Sequence, residues 1–513
     1  MREELKSKEV LAMYDIRGIQ SYIFKSDPAK EIIGASAIVD NVIIDGLKAY
    51  KKKKKLPEKE YMTNWENDDA EAFLKDSSIK MQVMFIGGGN AYVLFRKGFI
   101  CEEVNKFLAK YVLESTYSLK LAVAVIEKTD SYKEDYALIN EKMRAIKAYM
   151  PLSQPMGALP FMKNDPDTGY PLTFSEDDNH TDFCTEARLK RKKNQEEIDS
   201  GRSRRMKLDD MITEKGSDST LAMCHIDGNS MGQFIRNIMK EKVGYDKAIP
   251  IMREISQGIS RIFESTFDNM TKYMDKLSFK EDLYHKIILA GDDITFVCNA
   301  KLAIPAVKYF LKNIGKEILK IDGVEKTFSA CAGISYFNSH FPFSDAYQVA
   351  EACCDSAKKR AKLPENRGEN GEIKNYFDFQ ICTNVRAANL STYREKHYGA
   401  GEKSFIDRPY YVPIENDKNK DYSVEQLEKW LKLFNDENMP RSKSKQLRNV
   451  IPSGINEIEK EVAFLASRGH KEFEQALDED KKVYRVWYDA LEIMDLYIKE
   501  EVAENENKDN TSK

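Results

Sequence analysis

The sequence lacks the features that define several common classes of protein. None of its eight cysteines belongs to a Cys-x-x-Cys pair, and none of its six histidines precedes an aspartate. A disulfide framework, a zinc module and a hydrolase built on a His-Asp pair therefore have no basis here, and the cysteines suit reduced, buried thiols of a cytoplasmic protein. No apolar run is long enough to cross a membrane, and the opening residues MREELKSKEV contain no secretory signal.

The overall charge is close to neutral, so it points to no particular partner. The chain has 80 basic and 84 acidic residues, and only a local patch could indicate contact with nucleic acid. Apolar residues make up 42% of the 513 residues and charged residues 32%, a balance typical of globular proteins. At about 150 residues per domain, the length allows roughly three to four domains.

Two blocks of the chain share one order of predicted strands and helices. Each begins with a strand-like run that ends in an aspartate and a glycine turn, VLAMYDIRG from Val10 and LAMCHIDG from Leu221. Two apolar runs joined by a tight glycine turn follow, then an amphipathic helix and a further strand. The order βαββαβ predicts a ferredoxin-like sheet with helices on one face. Duplication explains the match, and two unrelated domains of the same order are the alternative.

The sequence therefore predicts an α+β protein with two ferredoxin-like (βαββαβ) domains followed by a C-terminal α-helical bundle. The bundle rests on apolar stripes at helical spacing within 427–434, 455–465 and 483–494. The last ten residues are polar, and we expect them to be disordered. The predicted divisions are a first domain at 1–150, a loop-rich and basic segment at 151–215, a second domain at 216–375 and the helical domain at 376–513.

Three aspartates of the second domain form a candidate catalytic metal site. Asp227 ends one predicted strand, and Asp292 and Asp293 lie in the turn between the next two, so all three meet at one sheet edge. Clustered carboxylates repel one another unless a cation joins them, and oxygen ligands favour Mg²⁺ or Mn²⁺. Two such ions serve nucleotidyl transfer. The alternative is that aspartate simply suits a tight turn.

Residues around these aspartates could bind the phosphates of a nucleotide. The segment Gly228-Asn229-Ser230 leads into a predicted helix whose first N–H groups could cradle phosphates, and Gly291 would let a ligand approach the turn. Farther along the chain, Lys358 and Lys362 follow a small apolar stripe, Ala350, Cys353, Cys354 and Ala357, on a predicted helix. Either lysine could reach a triphosphate or belong to a solvated helix face.

The first block provides an internal comparison. When its hairpin is aligned on the second, Gly89 takes the place of Asp292 and Asn90 that of Asp293, so only Asp15 keeps its carboxylate. We therefore expect no catalysis there. Gly88, Gly89 and Asn90 could still let a nucleotide approach the backbone, and a purely structural copy is the alternative.

A basic segment, Arg188–Lys207, separates the two blocks. Its nine lysines and arginines could contact the phosphate backbone of RNA, and a solvated flexible loop is the alternative.

These motifs, taken in order, resemble those of a known family. The segments DIRGIQSYIF, IIGASAIVD, GGGN, IDGNSMG and AGDD are similar to those of the large palm-domain subunit of type III CRISPR effector complexes, the Cmr/Csm large subunit. The resemblance covers about residues 10–375. That subunit carries two palm domains related to GGDEF nucleotide cyclases and makes cyclic oligoadenylates from ATP.

The resemblance implies a function and assigns residues to it. It implies ATP binding and 3′-5′ nucleotidyl transfer with Mg²⁺ or Mn²⁺ in antiviral defence, switched on by target RNA in a complex with guide RNA and other subunits. The family's Gly-Gly-Asp-Asp motif corresponds to Ala290–Asp293, and its upstream metal ligand to Asp227. The Gly-Gly-Ser motif of the first palm appears as Gly34, Ala35 and Ser36, and the helical bundle would contact a small helical subunit.

Three departures from the family limit the expected activity. The palm begins within about ten residues of Met1, so we expect no HD nuclease and no cleavage of single-stranded DNA. Segment 151–215 holds only Cys184, so we expect no zinc. Ala290 replaces the first motif glycine, which could alter the fit of the nucleotide. A catalytically silent, nucleotide-binding scaffold subunit and a stand-alone GGDEF-like cyclase that uses GTP are the alternative functions.

Overall fold

The structure is a computed structural model. It describes residues 3–26, 28–87, 90–150, 159–164, 174–175, 183–201, 206–213, 219–239, 242–277, 283–368, 371–382, 390–399, 401–414 and 422–498. None of the described helices combines the length and the apolarity that crossing a bilayer requires. The polar C-terminal tail, Gly88 and Gly89 lie outside the described residues.

The first palm domain, residues 10–149, contains the predicted βαββαβ order. Its sheet has the strand order β2-β3-β4-β1-β5. Strands β3, β4, β1 and β5 form the ferredoxin-like core, and the apolar β1 is almost entirely buried. The elements are β1 Val10–Arg17, α1 Ile19–Ile23, α2 Ala29–Lys54, β2 Tyr61–Met62, α3 Ala72–Lys75, β3 Met81–Gly87, β4 Asn90–Phe95, α4 Gly98–Thr116, β5 Lys120–Glu127 and α5 Tyr132–Tyr149.

Part of the segment between the palms is a helix docked on the first palm. The elements are β6 Phe174–Ser175, β7 Phe183–Cys184, α6 Glu186–Asp199 and α7 Leu208–Met211. Helix α6 lies so close to α2 that a Cβ at Gly34 would stand 1.8 Å from the backbone oxygen of Lys190. The Lys190 ammonium is buried, 2.9 Å from Glu186 and 2.7 Å from the Tyr22 carbonyl oxygen. The solvated-loop alternative is therefore wrong for residues 186–199.

The second palm domain, residues 220–381, repeats this core and extends it. The strand order is β15-β14-β13-β8-β10-β9, in which β13-β8-β10-β9 matches the core of the first palm. The elements, with those that complete the sheet, are β8 Thr220–Gly228, α8 Met231–Met239, α9 Tyr245–Leu277, β9 Tyr284–Ala290, β10 Asp293–Asn299, α10 Ala303–Ile314, β11 Ile318–Ile321, β12 Val324–Thr327, β13 Ala330–Asn338, α11 Phe343–Ala361, β14 Tyr376–Ile381, α12 Leu390–Tyr398 and β15 Tyr410–Tyr411.

Strand β14 corrects the predicted boundary at residue 376. Its residues fall within the predicted helical domain, but they pair in parallel with β13 along the whole strand. The polar side chains of Asp378 and Gln380 make the segment read as surface sequence, yet both are buried, and Arg394 bonds to both. The second palm therefore extends to residue 381.

The helical bundle, residues 424–493, lies near the end of the described part of the chain. Trp430, Phe473 and Trp487 meet at its centre, with ring centroids 5.2 to 5.4 Å apart. The predicted apolar stripes are buried except at Val483, which is half-buried, and Ile455, which is 40% exposed. The helices are α13 Val424–Phe434, α14 Arg441–Val450, α15 Ile455–Ser467, α16 Glu472–Glu479 and α17 Tyr484–Ile493.

Candidate functional site

The candidate site lies where β8 ends and β9 turns into β10. Asp227 and Asp293 are direct neighbours across the antiparallel β8–β10 pair. The Gly228 N–H donates to the Asp292 carbonyl oxygen at 3.1 Å, which fixes the turn against the end of β8. The structure thus brings Asp227, Asp292 and Asp293 together at one sheet edge.

Two glycines make this close approach possible. Gly291 has φ +63°, a left-handed conformation that side chains with a Cβ rarely adopt, and it forms the two-residue turn with Asp292. A Cβ on Gly228 would stand 2.8 Å from the Cβ of Asp292 and 3.0 Å from its Oδ2. We call Asp227, at the end of β8, together with Asp292 and Asp293 of the β9–β10 turn, the acidic turn. The absence of a side chain at Gly228 therefore lets the acidic turn pack closely, and it also leaves space for a ligand.

Burial and mutual repulsion raise the pKa values of both carboxylates of the turn. Burial, reinforced by the charge of Asp227, raises the pKa of Asp292 to about 6. Burial, with the charges of Asp227 and Asp292, raises the pKa of Asp293 to about 7. Such carboxylates gain from any cation that reaches them.

One oxygen of Asp293 lacks a hydrogen-bond donor within the described part of the chain. The side chain is 33% exposed, but its Oδ1 is buried and lies 3.5 Å from Nδ1 of His225. Burial lowers the pKa of His225 to about 4, so the ring is neutral at neutral pH, and the same Nδ1 lies 3.1 Å from the Thr295 hydroxyl. His225 therefore supplies no charge to Asp293.

Lys358 forms an ion pair with Asp227. Burial lowers the pKa of Lys358, but the Asp227 carboxylate outweighs this and holds the pKa above its usual value. Among the described residues, no three acidic, histidine or cysteine side chains are arranged to hold a metal ion. The oxygen donors still suit a hard divalent cation, because the buried Oδ1 of Asp293 has no hydrogen-bond donor among the described residues.

A groove beside the acidic turn could receive phosphates. It has a volume of about 480 Å³ and adjoins a larger cavity of about 740 Å³ that shares Ser230 with it. The predicted Asn229 is buried, and its amide donates to the Ser329 hydroxyl at 3.2 Å. The groove is lined by Gly228, Ser230, Met231, Gly232, Gln233, Arg236, Asp292, Lys362, Arg367 and Ile373.

The cations of this groove are only partly those that the sequence predicted. Of the two predicted lysines, Lys362 lines the groove and Lys358 pairs with Asp227, and phosphate binding by either stays a prediction. Arg236 and Arg367 line it too and were missed. Arg236 lies nine residues after Asp227 on α8, a spacing that could have placed it on the same side, but Arg367 follows α11 in a polar segment without a pattern.

The first palm reproduces the geometry without the carboxylates of the turn. Asp15 is the direct partner of Asn90, as Asp227 is of Asp293, so the structure supports the alignment of Asn90 with Asp293. Asp15 forms an ion pair with Lys147 on α5.

The Gly-Gly-Ser counterpart of the first palm lies at a helix–helix contact. Gly34 and Ser36 lie inside α2, where Gly34 faces the α6 backbone and Ser36 is buried. Nucleotide binding by Gly34, Ser36 and Asn90 stays a prediction.

The first palm also contacts the second near the acidic turn. Phe24 stacks on Tyr347 of α11 with ring centroids 3.7 Å apart, and Tyr347 in turn lies edge-on to His225 at 5.6 Å. The motif DIRGIQSYIF therefore ends in a contact that supports the site of the other palm.

Much of the basic segment is engaged within the protein. Lys190 is buried, Arg191 pairs with Glu31 at 2.6 Å, and Lys193 pairs with Glu197 at 3.1 Å. Arg202, Arg204 and Arg205 lie outside the described residues. RNA contact through Arg188–Lys207 stays a prediction, and fewer cations of α6 are available for it than the sequence suggests.

The fold and the acidic turn define a protein with two palm domains, of which the second carries the clustered carboxylates. Residues 220–367 match the family model of Cas10/Cmr2, second palm domain. The matched segment contains all three aspartates, both predicted lysines and Arg367. No curated protein sequence matches the chain.

Solved structures share the fold over most of the chain. Csm1 of T. onnurineus is 13% identical, and the likeness covers 96% of this chain and 69% of that one with a TM-score of 0.50. A Csm1-Csm4 cassette in complex with one ATP is 12% identical, over 96% of this chain and 70% of the other, also with a TM-score of 0.50. The predicted resemblance to the large palm-domain subunit is confirmed, and the α+β fold with it.

Proposed function

We propose that the chain is a palm-type nucleotidyltransferase that uses ATP to make a cyclic oligoadenylate or a related nucleotide second messenger in type III CRISPR-like antiviral defence. The observation that carries the proposal is the acidic turn, where Asp227, Asp292 and Asp293 meet beside a groove that is lined by cations. The match of residues 220–367 to the second palm domain of Cas10/Cmr2 supports it.

The acidic turn would hold two divalent cations, Mg²⁺ or Mn²⁺, through Asp227, Asp292 and Asp293. When bound, they would supply charge neutralisation for the attack of a 3′-hydroxyl on an α-phosphate. Arg236, Lys362 and Arg367 would bind the triphosphate and fix its orientation.

Its partners would be those of an effector complex. A structure with the same fold is a Csm1-Csm4 cassette in complex with one ATP, which favours ATP and further complex subunits as partners of this chain. Guide and target RNA would be partners through such a complex. A cytoplasmic location agrees with this role and stays a prediction.

The test removes the carboxylates of the turn without changing their shape. We expect the double variant Asp292→Asn, Asp293→Asn to lose at least about 100-fold in product formation, because oxygen ligands without charge hold divalent cations poorly. Products are identified by mass spectrometry after incubation of the full chain with each nucleoside triphosphate, alone and with RNA-loaded partner subunits.

A matched control is Asp322→Asn, which changes an aspartate in the β11–β12 turn of the same domain. Undiminished synthesis by the double variant would refute the proposal. A product formed from GTP and not ATP would favour the stand-alone GGDEF-like cyclase.

The scaffold alternative has one observation in its favour. Lys358 already neutralises Asp227, and the described residues contain no ready cluster of metal ligands. Binding of ATP without product under any of these conditions, with partner subunits and RNA present, would establish a silent nucleotide-binding scaffold.

A further inference from the structure

Both palms hold the same ion pair, although only one keeps the other carboxylates. Asp15 pairs with Lys147 in the first palm, and Asp227 pairs with Lys358 in the second. In each palm the aspartate lies on one of the two inner strands of the four-stranded core, and the lysine lies on the helix that follows the last core strand.

The two lysines are topologically equivalent. Lys147 is the sixteenth residue of α5, and Lys358 is the sixteenth residue of α11. Each lies 20 residues after the end of the preceding strand, at Glu127 in the first palm and Asn338 in the second. The pair is therefore a feature of the palm itself and does not depend on the acidic turn.

The surroundings of the pair differ between the palms. Asp15 faces the uncharged amide of Asn90, so a single ammonium balances a single carboxylate. Asp227 faces Asp293, with Asp292 next to it, so the ammonium of Lys358 balances only part of the charge. A divalent cation would satisfy the second palm better than Lys358 can, whereas the first palm needs no further charge.

Lys358 also lies next to the groove in which we propose that the phosphates of the nucleotide bind. It lies one helical turn before Lys362, which lines the phosphate groove, and its side chain is 18% exposed. An ammonium released from Asp227 would therefore remain beside the phosphates.

We propose that Lys358 is an internal counter-ion that competes with a divalent cation for Asp227 and, once displaced, binds the phosphates of the nucleotide. Lys147 holds Asp15 in the same way with nothing to displace it, which makes the first palm independent of metal. The inference rests on the proposed function for the identity of the cation and the nucleotide.

The experiment measures the two ligands separately on the full chain. Mn²⁺ affinity without nucleotide is obtained from the electron paramagnetic resonance signal of free Mn²⁺, and the affinity for α,β-methylene-ATP is then measured at saturating Mn²⁺. We expect Lys358→Met to tighten Mn²⁺ binding about tenfold, because the competitor is gone, and to weaken binding of the ATP analogue about tenfold. Opposite changes for the two ligands would not follow from a merely structural role.

Two further variants serve as controls. Lys147→Met should leave Mn²⁺ affinity unchanged, and Lys358→Arg, which keeps a cation at the position, should not tighten it. If Lys358→Met is misfolded in a thermal unfolding scan, Lys358→Gln replaces it, and we expect the same opposite changes.

Unchanged or weakened Mn²⁺ binding by the folded variant would overturn the inference. Wild-type Mn²⁺ binding by the double variant Asp292→Asn, Asp293→Asn would instead reject the proposed metal site, so the two failures are distinguishable.

Discussion

At the scale of single residues, the acidic turn keeps a carboxylate cluster whose charge Lys358 balances only in part. Asp292 and Asp293 are raised in pKa chiefly by burial, and Asp293 has a buried oxygen without a donor among the described residues. The first palm shows that the fold does not need such a cluster, because Asn90 occupies the place of Asp293 there. The free-energy cost of burying neighbouring carboxylates is thus confined to the palm in which we propose catalysis.

Substitution of Gly228 tests how closely the turn is fitted to β8. We expect Gly228→Ala to lower Mn²⁺ affinity and product formation about tenfold, because the new methyl group would meet Asp292 at 2.8 Å and push the turn away. Overpacking of this kind costs about 1–3 kcal/mol, which thermal unfolding detects.

The matched control for this substitution is Gly232→Ala. A Cβ there has its nearest neighbour, an Arg236 side-chain nitrogen, at 3.6 Å, and alanine favours the helix. We expect this variant to be at least as stable as the wild type. Equal stability and equal Mn²⁺ affinity of Gly228→Ala and the wild type would contradict the fitted turn.

The carboxylates and the lysines of the site could be predicted from the sequence, but Arg367 could not. Asp227, Asp292 and Asp293 follow apolar strand-like runs, so the strand ends place them. Arg367 lies in a polar segment whose path depends on tertiary packing. The pairing of Asp15 with Lys147 joins residues 132 positions apart, and local pattern carries no information about it.

At the scale of elements, helix α9 joins the two palms through the backbone of β3. Strand β3 has a bulge between Val83 and Phe85, and a bulge locally disrupts the regular hydrogen bonding between strands. The buried Arg253 donates to the carbonyl oxygens of Val83 and Met84 at 3.0 and 2.5 Å and to that of Asp68 at 2.6 Å. One guanidinium thus satisfies three acceptors of the first palm.

Removal of this guanidinium should weaken the joint between the palms. We expect Arg253→Met to destabilise the protein by about 3 kcal/mol, because buried carbonyl groups lose charge-assisted hydrogen bonds. Denaturant unfolding measures the change. Arg261→Met on the exposed face of the same helix is the control, and we expect it to stay within about 0.5 kcal/mol of the wild type. Equal effects of the two variants would show that α9 does not hold the palms together in this way.

The order of the core elements could be predicted because apolar periodicity survives in every core strand. Strand β14 and helix α6 could not, because each of them buries a charged residue. Asp378 of β14 is compensated by Arg394, and Lys190 of α6 by Glu186. Sequence patterns treat a charged residue as exposed, and this assumption fails wherever a buried charge has a partner.

At the scale of the whole molecule, a buried charged network ties the second palm to the helical bundle. Arg408 lies between the sheet and α17, 2.6 Å from Glu492 and 3.2 Å from Asp489, with all three side chains almost fully buried. Asp489 also accepts from the backbone N–H groups of Asp407 and Arg408, both at 2.9 Å. A few buried residues therefore connect the bundle directly to the sheet that carries the acidic turn.

This network should give the stability of the molecule a particular pH dependence. Burial, reinforced by the charge of Asp489, raises the pKa of Asp407 to about 7, well above the value of an unfolded aspartate. The folded state therefore binds the proton more tightly than the unfolded state, so the stabilisation is full below the unfolded pKa and is lost as the pH rises through about 7.

We expect Asp407→Asn to remove this loss, since an amide keeps the shape without the charge. The variant should be more stable than the wild type at pH 8.5, by on the order of 2–3 kcal/mol, and show a smaller advantage as the pH falls toward 5. Urea unfolding at both pH values measures the difference, and an advantage that is equal at the two values would show that Asp407 does not titrate in this range.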